Sequence, residues 1–193
     1  MVAPCHVLVP LVCAVALYGQ SQPVSQQPAG MMTPWEIAPV LEEIGAHGAR
    51  LKAALDRIDV KAWIGKGASE TYLAQWQSST EQARAVADGA KVLARNPERL
   101  SAGLELFFRM RTLDTMAGSL AEAMQKYQKP ADGQQLAALA AEVALDEERY
   151  ERYLVGLAAG EEQQLAVMDK EAQRCRALLA APDSSSSRTG KKN

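Results

Sequence analysis

Apolar residues recur at steps of three and four along most of the chain after Thr33. Such spacing puts apolar side chains on one face of an α-helix, whereas a strand would alternate at every second position. No segment of useful length alternates in that way. The pattern therefore predicts an all-α protein with four main helices, at residues 34–57, 69–95, 97–127 and 132–180.

Capping signals support these boundaries. The stretch TPWE, from Thr33, combines a Thr N-cap, a Pro at the first helical position and a Glu three residues after the cap. Asn96 before a Pro, and Asp132 with Gln135, suggest similar starts for the third and fourth helices. The stretch DVKAWIGKGAS indicates a short helical turn around Trp63 and then a loop. Short connections favour antiparallel neighbours, so we predict an up-down-up-down four-helix bundle with an extended C-terminal helix.

The apolar stripe of the last helix continues in phase past Gly156 and Gly160. A single helix of about 50 residues would be on the order of 70 Å long, which exceeds its predicted partners. Its second half, from about Ala159, should project or pack on another chain, because an uncovered apolar stripe is an interaction surface. The predicted interface consists of Leu165, Met168, Ala172, Cys175 and Leu179.

Composition and charge narrow the functional classes. The chain has 193 residues, of which 48% are hydrophobic, and a formal net charge of -2. These values are typical of a globular domain with one core. The near-balanced charge argues against a nucleic-acid partner, because phosphate binding requires a basic face.

The N-terminal residues predict export. The first 21 residues carry no charged side chain, and the apolar run Val7–Leu17 is shorter than the roughly 20 residues of a membrane span. Gly19 and Ser21 form a small-x-small cleavage signal. We therefore expect a signal peptide at 1–21, a periplasmic or secreted location, and no membrane span after cleavage. An uncleaved anchor is the alternative, because a basic segment before the apolar run is missing.

The segments that flank the helices have biased compositions. Residues 22–32 are rich in Pro, Gln and Ser and suggest a flexible linker, and residues 182–193 suggest a disordered tail. Cleavage would remove Cys5 and Cys13 and leave Cys175, which excludes an internal disulfide. Because Cys175 lies on the apolar stripe of the last helix, we interpret it as a small buried hydrophobic residue. If the last helix projects, Cys175 is instead a candidate for an intermolecular disulfide.

Four polar residues lie at similar heights in the predicted bundle, within roughly one helical turn: His47, Arg111, Asp114 and Glu147. Arg111 and Asp114 are three residues apart and can pair along their helix. The simplest interpretation is that these groups satisfy one another, because a buried carboxylate must be paired or neutralised. The alternative is a small-ligand site between the helices, or a single cation on His47, Asp114 and Glu147.

Apart from these four polar residues, the sequence shows no set of residues typical of a catalytic site. We find no nucleophile or base with an orienting partner, no phosphate-binding loop and no Glu-x-x-His pair. The stretch DEERYERY is interpreted mainly as a solvated face, with Tyr150 and Tyr153 in the core. We expect a non-enzymatic interaction or structural module of the cell envelope, without a cofactor, that binds a protein partner or itself. The alternative is a ligand- or metal-binding bundle.

Overall fold

The computed structural model describes residues 32–180, which form five α-helices and no strand. The predicted signal peptide, most of the linker, the tail and two of the three cysteines lie outside this range. The all-α prediction is confirmed. The helices are α1 (Pro34–Leu55), α2 (Val60–Gly65), α3 (Thr71–Leu93), α4 (Leu100–Tyr127) and α5 (Pro130–Ala180).

The start of α1 follows the capping signal. The Thr33 backbone N–H and the Thr33 hydroxyl both donate to Glu36 Oε2, each at 2.7 Å. Pro34 occupies the first helical position, where its missing N–H costs no intrahelical bond. The helix then continues through Pro39 to Leu55.

The other three long helices start at residues that differ from the sequence pattern. Helix α3 begins at Thr71, two residues after the predicted start. Helix α4 begins at Leu100 with Arg99 as its N-cap, three residues after the predicted start. Helix α5 begins at Pro130, so Asp132 lies in the first turn and not at the N-cap. There the Asp132 carboxylate accepts a hydrogen bond from Gln128 Nε2 at 2.9 Å and lies near the positive end of the helix dipole.

The predicted helical turn around Trp63 is the short helix α2. The Asp59 carboxylate caps it by accepting the Ala62 N–H at 3.0 Å. Trp63 is buried and packs against the rings of Tyr72 in α3 and Tyr127 in α4. Its indole N–H donates to Gln128 Oε1 at 3.3 Å. Helix α2 therefore closes one end of the core.

The four long helices pack in pairs around one core: α1 and α4 each contact both α3 and α5. Ion pairs Glu43–Arg149 and Arg50–Glu142 show that α1 and α5 run in opposite directions. Along α4, six apolar residues at steps of three and four are buried in this core: Leu106, Met110, Leu113, Ala117, Leu120 and Met124.

Helix α5 is a single helix of 51 residues and extends past its neighbours. Because Glu43 pairs with Arg149, the start of α1 nine residues earlier is level with about residue 158 of α5. Every residue from Glu161 to Ala180 is exposed except Ala172, which is half-buried. We call Glu161–Ala180 the overhang and residues 32–160 the helical body.

Candidate functional site

Three of the four predicted polar residues lie together where α4 meets α5. Arg111 Nε lies 3.5 Å from Glu147 Oε1, so Arg111 pairs across the helices with Glu147. The pKa of the Glu147 carboxyl is raised, mainly because the group is buried. The positive charge of Arg111 lowers this pKa, and the negative charge of Asp114 raises it. The neighbouring Arg109 pairs with Glu105 at 2.7 Å. Arg109 and Arg111 therefore form ion pairs at a packing edge. Arg111 pairs with Glu147 of α5 and not, as the spacing had suggested, with Asp114 of its own helix.

His47 lies at a different helix interface, between α1 and α5. Its Nδ1 is hydrogen-bonded to the buried carboxylate of Asp146, and its Nε2 is 3.7 Å from Glu142 Oε2. Arg50 also binds Glu142, at 2.6 Å, and this hydrogen bond lowers the pKa of Glu142. The polar layer expected from the helix heights is thus divided between two helix pairs.

Asp146 is the residue that the sequence analysis missed, because it was placed on a solvated face. It is 3% exposed and one of the few buried polar side chains of the described chain. The signal was present in the spacing, since Asp146 lies three residues after Val143 and four before Tyr150, both buried. Either Asp146 or Glu147 fits the apolar period, and the helix places both at interfaces.

The His47–Asp146 pair opens into a shallow groove of about 410 Å³. The groove is lined by the charged residues Glu43, His47, Glu142, Asp146, Glu148, Arg149 and Arg152, together with Leu145. Within residues 32–180, no group of three or more His, Cys, Asp or Glu side chains is arranged to hold a metal ion. The groove could bind a ligand through its charged side chains and His47. Its lining contains no hydroxyl or thiol group that could act as a nucleophile.

Tyr150 and Tyr153 lie in the core, as predicted, with stacked rings 6.1 Å apart. Among the described residues neither hydroxyl has a hydrogen-bond partner. Burial raises the pKa of Tyr153 to about 12 and also raises that of Tyr150. Both phenols therefore remain neutral at physiological pH and act as packing groups.

The substitution Asp146→Asn should change how stability depends on pH. Burial raises the pKa of Asp146, although the hydrogen bond from His47 opposes this shift. A carboxyl whose pKa is raised in the folded state stabilises the fold most when protonated, and this contribution is lost as pH rises through the folded pKa. We expect the free energy of unfolding of the unaltered chain, relative to Asp146→Asn, to fall as pH rises above about 3.9, the ordinary aspartate pKa.

Urea unfolding at several pH values would measure this difference. The matched control is Asp169→Asn, an exposed aspartate of the same helix. The burial argument would be contradicted if the unfolding free energy of the unaltered chain minus that of Asp146→Asn stayed constant or rose with pH.

The predicted interface residues lie in the overhang. Leu165 is 64%, Met168 66% and Leu179 87% exposed. The interpretation of Cys175 as a buried hydrophobe is wrong, because its thiol is exposed and free. The reason is that α5 extends beyond the ends of its neighbours, so no other helix of the described chain lies beside Cys175.

The comparisons with protein-family models, curated proteins and solved structures found no match. Among the described helices, none combines the length and the apolar character needed to cross a membrane.

Proposed function

We propose that this chain is an exported, non-enzymatic interaction module of the cell envelope that binds a protein partner or itself through the overhang. In this proposal the helical body is an up-down-up-down four-helix bundle, and α5 is its extended arm. The export and the periplasmic or secreted location rest on the sequence of residues 1–21.

One observation carries the proposal: the exposed overhang carries an apolar stripe from Leu165 to Leu179 that no helix of the described chain covers. Helices in proteins gain most of their stability from packing an apolar face. Burying apolar surface stabilises an association by about 25 cal/mol per Å². Large side chains such as Leu165 and Met168, each nearly two-thirds exposed, are therefore suited to bind a partner.

The polar clusters support the alternative, a ligand- or metal-binding bundle, less well. His47, Asp146 and Glu147 each already contact a side chain of another helix. A ligand would have to displace these partners, and buried groups that lose a partner cost free energy.

Trypsin digestion of residues 22–193 tests the proposal, because Lys170, Arg174 and Arg176 place cleavage sites in the overhang. We expect these sites to be protected when the partner is present, either in purified protein at high concentration or in an extract of the cells that make it. The double variant Leu165→Glu, Met168→Glu should lose this protection by at least about 10-fold in cleavage rate, because charge on the stripe opposes burial.

The matched control is Val155→Glu, which alters a side chain that is 65% exposed and lies on the same helix but off the stripe. It should leave protection unchanged. An overhang cut as rapidly as the C-terminal tail, in both purified protein and extract, would refute the proposed function.

A further inference from the structure

We propose that residues 7–17 of the same chain cover the stripe of the overhang for as long as the N-terminal residues are retained. We call this segment, Val7–Leu17, the apolar run. Fourteen residues, 18–31, connect it to the first described residue, Met32. This inference rests on the proposed function and names its regulation, because removal of residues 1–21 would uncover the surface that binds the partner.

The stripe faces the space beyond the ends of α1 and α4. Residues eighteen apart on an α-helix point the same way, because eighteen residues make about five turns. Ala172 therefore points in the same direction as Leu154, and Cys175 in the same direction as Leu157. Leu154 and Leu157 are buried in the core of the helical body. A segment that extended the helical body past the start of α1 would therefore meet the stripe.

Of these two neighbours of α5, only α1 is entered from residues outside the described range. Helix α4 starts level with about residue 157 of α5, because a Cβ on Gly103 would lie 2.7 Å from Leu154. Residues 94–99 join α4 to α3. Helix α1 starts level with about residue 158, and Met32 before it packs against the core. The chain therefore enters the helical body at the base of the overhang.

The composition of the apolar run suits it to cover the stripe. Seven of its eleven side chains are Val or Leu, and none is charged. Residues 181–193, which follow the far end of α5, contain no Val, Ile, Leu, Met or aromatic side chain. Burial of apolar surface stabilises such a contact by about 25 cal/mol per Å². The apolar run is therefore a better cover for the stripe than the C-terminal residues.

The connection between the apolar run and Met32 is long enough for this contact. Fourteen extended residues span up to about 46 Å. Leu179, the far end of the stripe, lies about 32 Å along α5 from residue 158. A segment on a short linker is present at an effective concentration on the order of millimolar, so it competes well against a dilute partner.

Alkylation of Cys175 by N-ethylmaleimide tests whether the stripe is covered. Cys175 lies on the stripe and is exposed and free in the described chain. The full chain with Cys5→Ser and Cys13→Ser is compared with residues 22–193, so that Cys175 is the only thiol in both. We expect Cys175 to react at least about 10-fold more slowly in the full chain, because the tethered cover is present at high effective concentration.

The matched control moves the thiol to the opposite face of the overhang. Lys170 is exposed and nine residues from Leu179, so it points about 180° away from the stripe. With Lys170→Cys and Cys175→Ser added to both chains, the new thiol should react equally fast in the two. Slowing of equal size at both positions would overturn the proposal, because the effect would not be specific to the stripe.

A short bismaleimide distinguishes a cover from the same chain from one supplied by a second copy. Cys13 lies within the apolar run, and in the full chain with Cys5→Ser it should be joined to Cys175 in a product with the mass of one chain. A product of twice that mass would overturn the assignment to the same chain. Equal alkylation rates of Cys175 in the full chain and in residues 22–193 would overturn the cover itself. The proposed function would still stand, because trypsin protection of residues 22–193 tests it separately.

Discussion

Replacing Trp63 with alanine should lower the free energy of unfolding by about 3–5 kcal/mol, the range typical of a buried tryptophan. The side chain is 1% exposed and joins the ends of three helices. Its ring packs edge-on against Tyr72 at 6.1 Å and stacks on Tyr127 at 6.5 Å. The substitution would leave a cavity and would also remove the hydrogen bond to Gln128.

Urea unfolding followed by circular dichroism would measure this loss. The matched control is Trp35→Ala, because Trp35 is largely exposed and its removal should change stability by less than about 0.5 kcal/mol. A loss below about 1 kcal/mol for Trp63→Ala would mean that α2 does not close the core as described.

The substitution Gly133→Ala should destabilise the fold by about 1–3 kcal/mol through overpacking between α4 and α5. A Cβ at this position would lie 2.6 Å from the backbone oxygen of Ala121 and 2.9 Å from the backbone nitrogen of Gln125. Backbone atoms of a packed helix cannot move aside cheaply. The clash should outweigh the roughly 1 kcal/mol that alanine normally contributes over glycine in a helix.

Gly118→Ala is the matched control, because Gly118 lies inside α4 and a Cβ there would meet no neighbouring side chain or helix of the described chain within 4 Å. It should stabilise the fold by about 0.5–1 kcal/mol, since only the helix preference changes. Equal effects of the two substitutions in the same direction would contradict the close approach of α4 and α5 at Gly133.

The helices themselves were predictable because their signals are local. The three-and-four spacing identified the core face of α4, and the cap at Thr33 located the start of α1. The stripe of α5 keeps phase past two glycines, which left room for one continuous helix, and the structure has a single helix there. These properties depend on residues within a few turns of one another, so no knowledge of packing was needed.

The candidate site was predictable only in part. Positions along the helix axes placed His47 and Glu147 at one level. Position along the axis does not show on which side of α5 a residue lies, and so does not show which helix it contacts. Asp146 and Glu147 are adjacent, so they point about 100° apart and face different neighbours. Asp146 therefore binds His47 of α1, and Glu147 binds Arg111 of α4.

The order of residues alone was enough to specify the all-α class, the apolar stripe of α5 and the position of Cys175 on it. Packing between distant segments was needed to show which polar groups are paired and where the neighbouring helices stop covering α5. These features depend on where the neighbouring helices end relative to α5. Contacts between residues that are distant in the chain determine those positions. Cys175 is exposed for this reason, although its local pattern matches that of a core position.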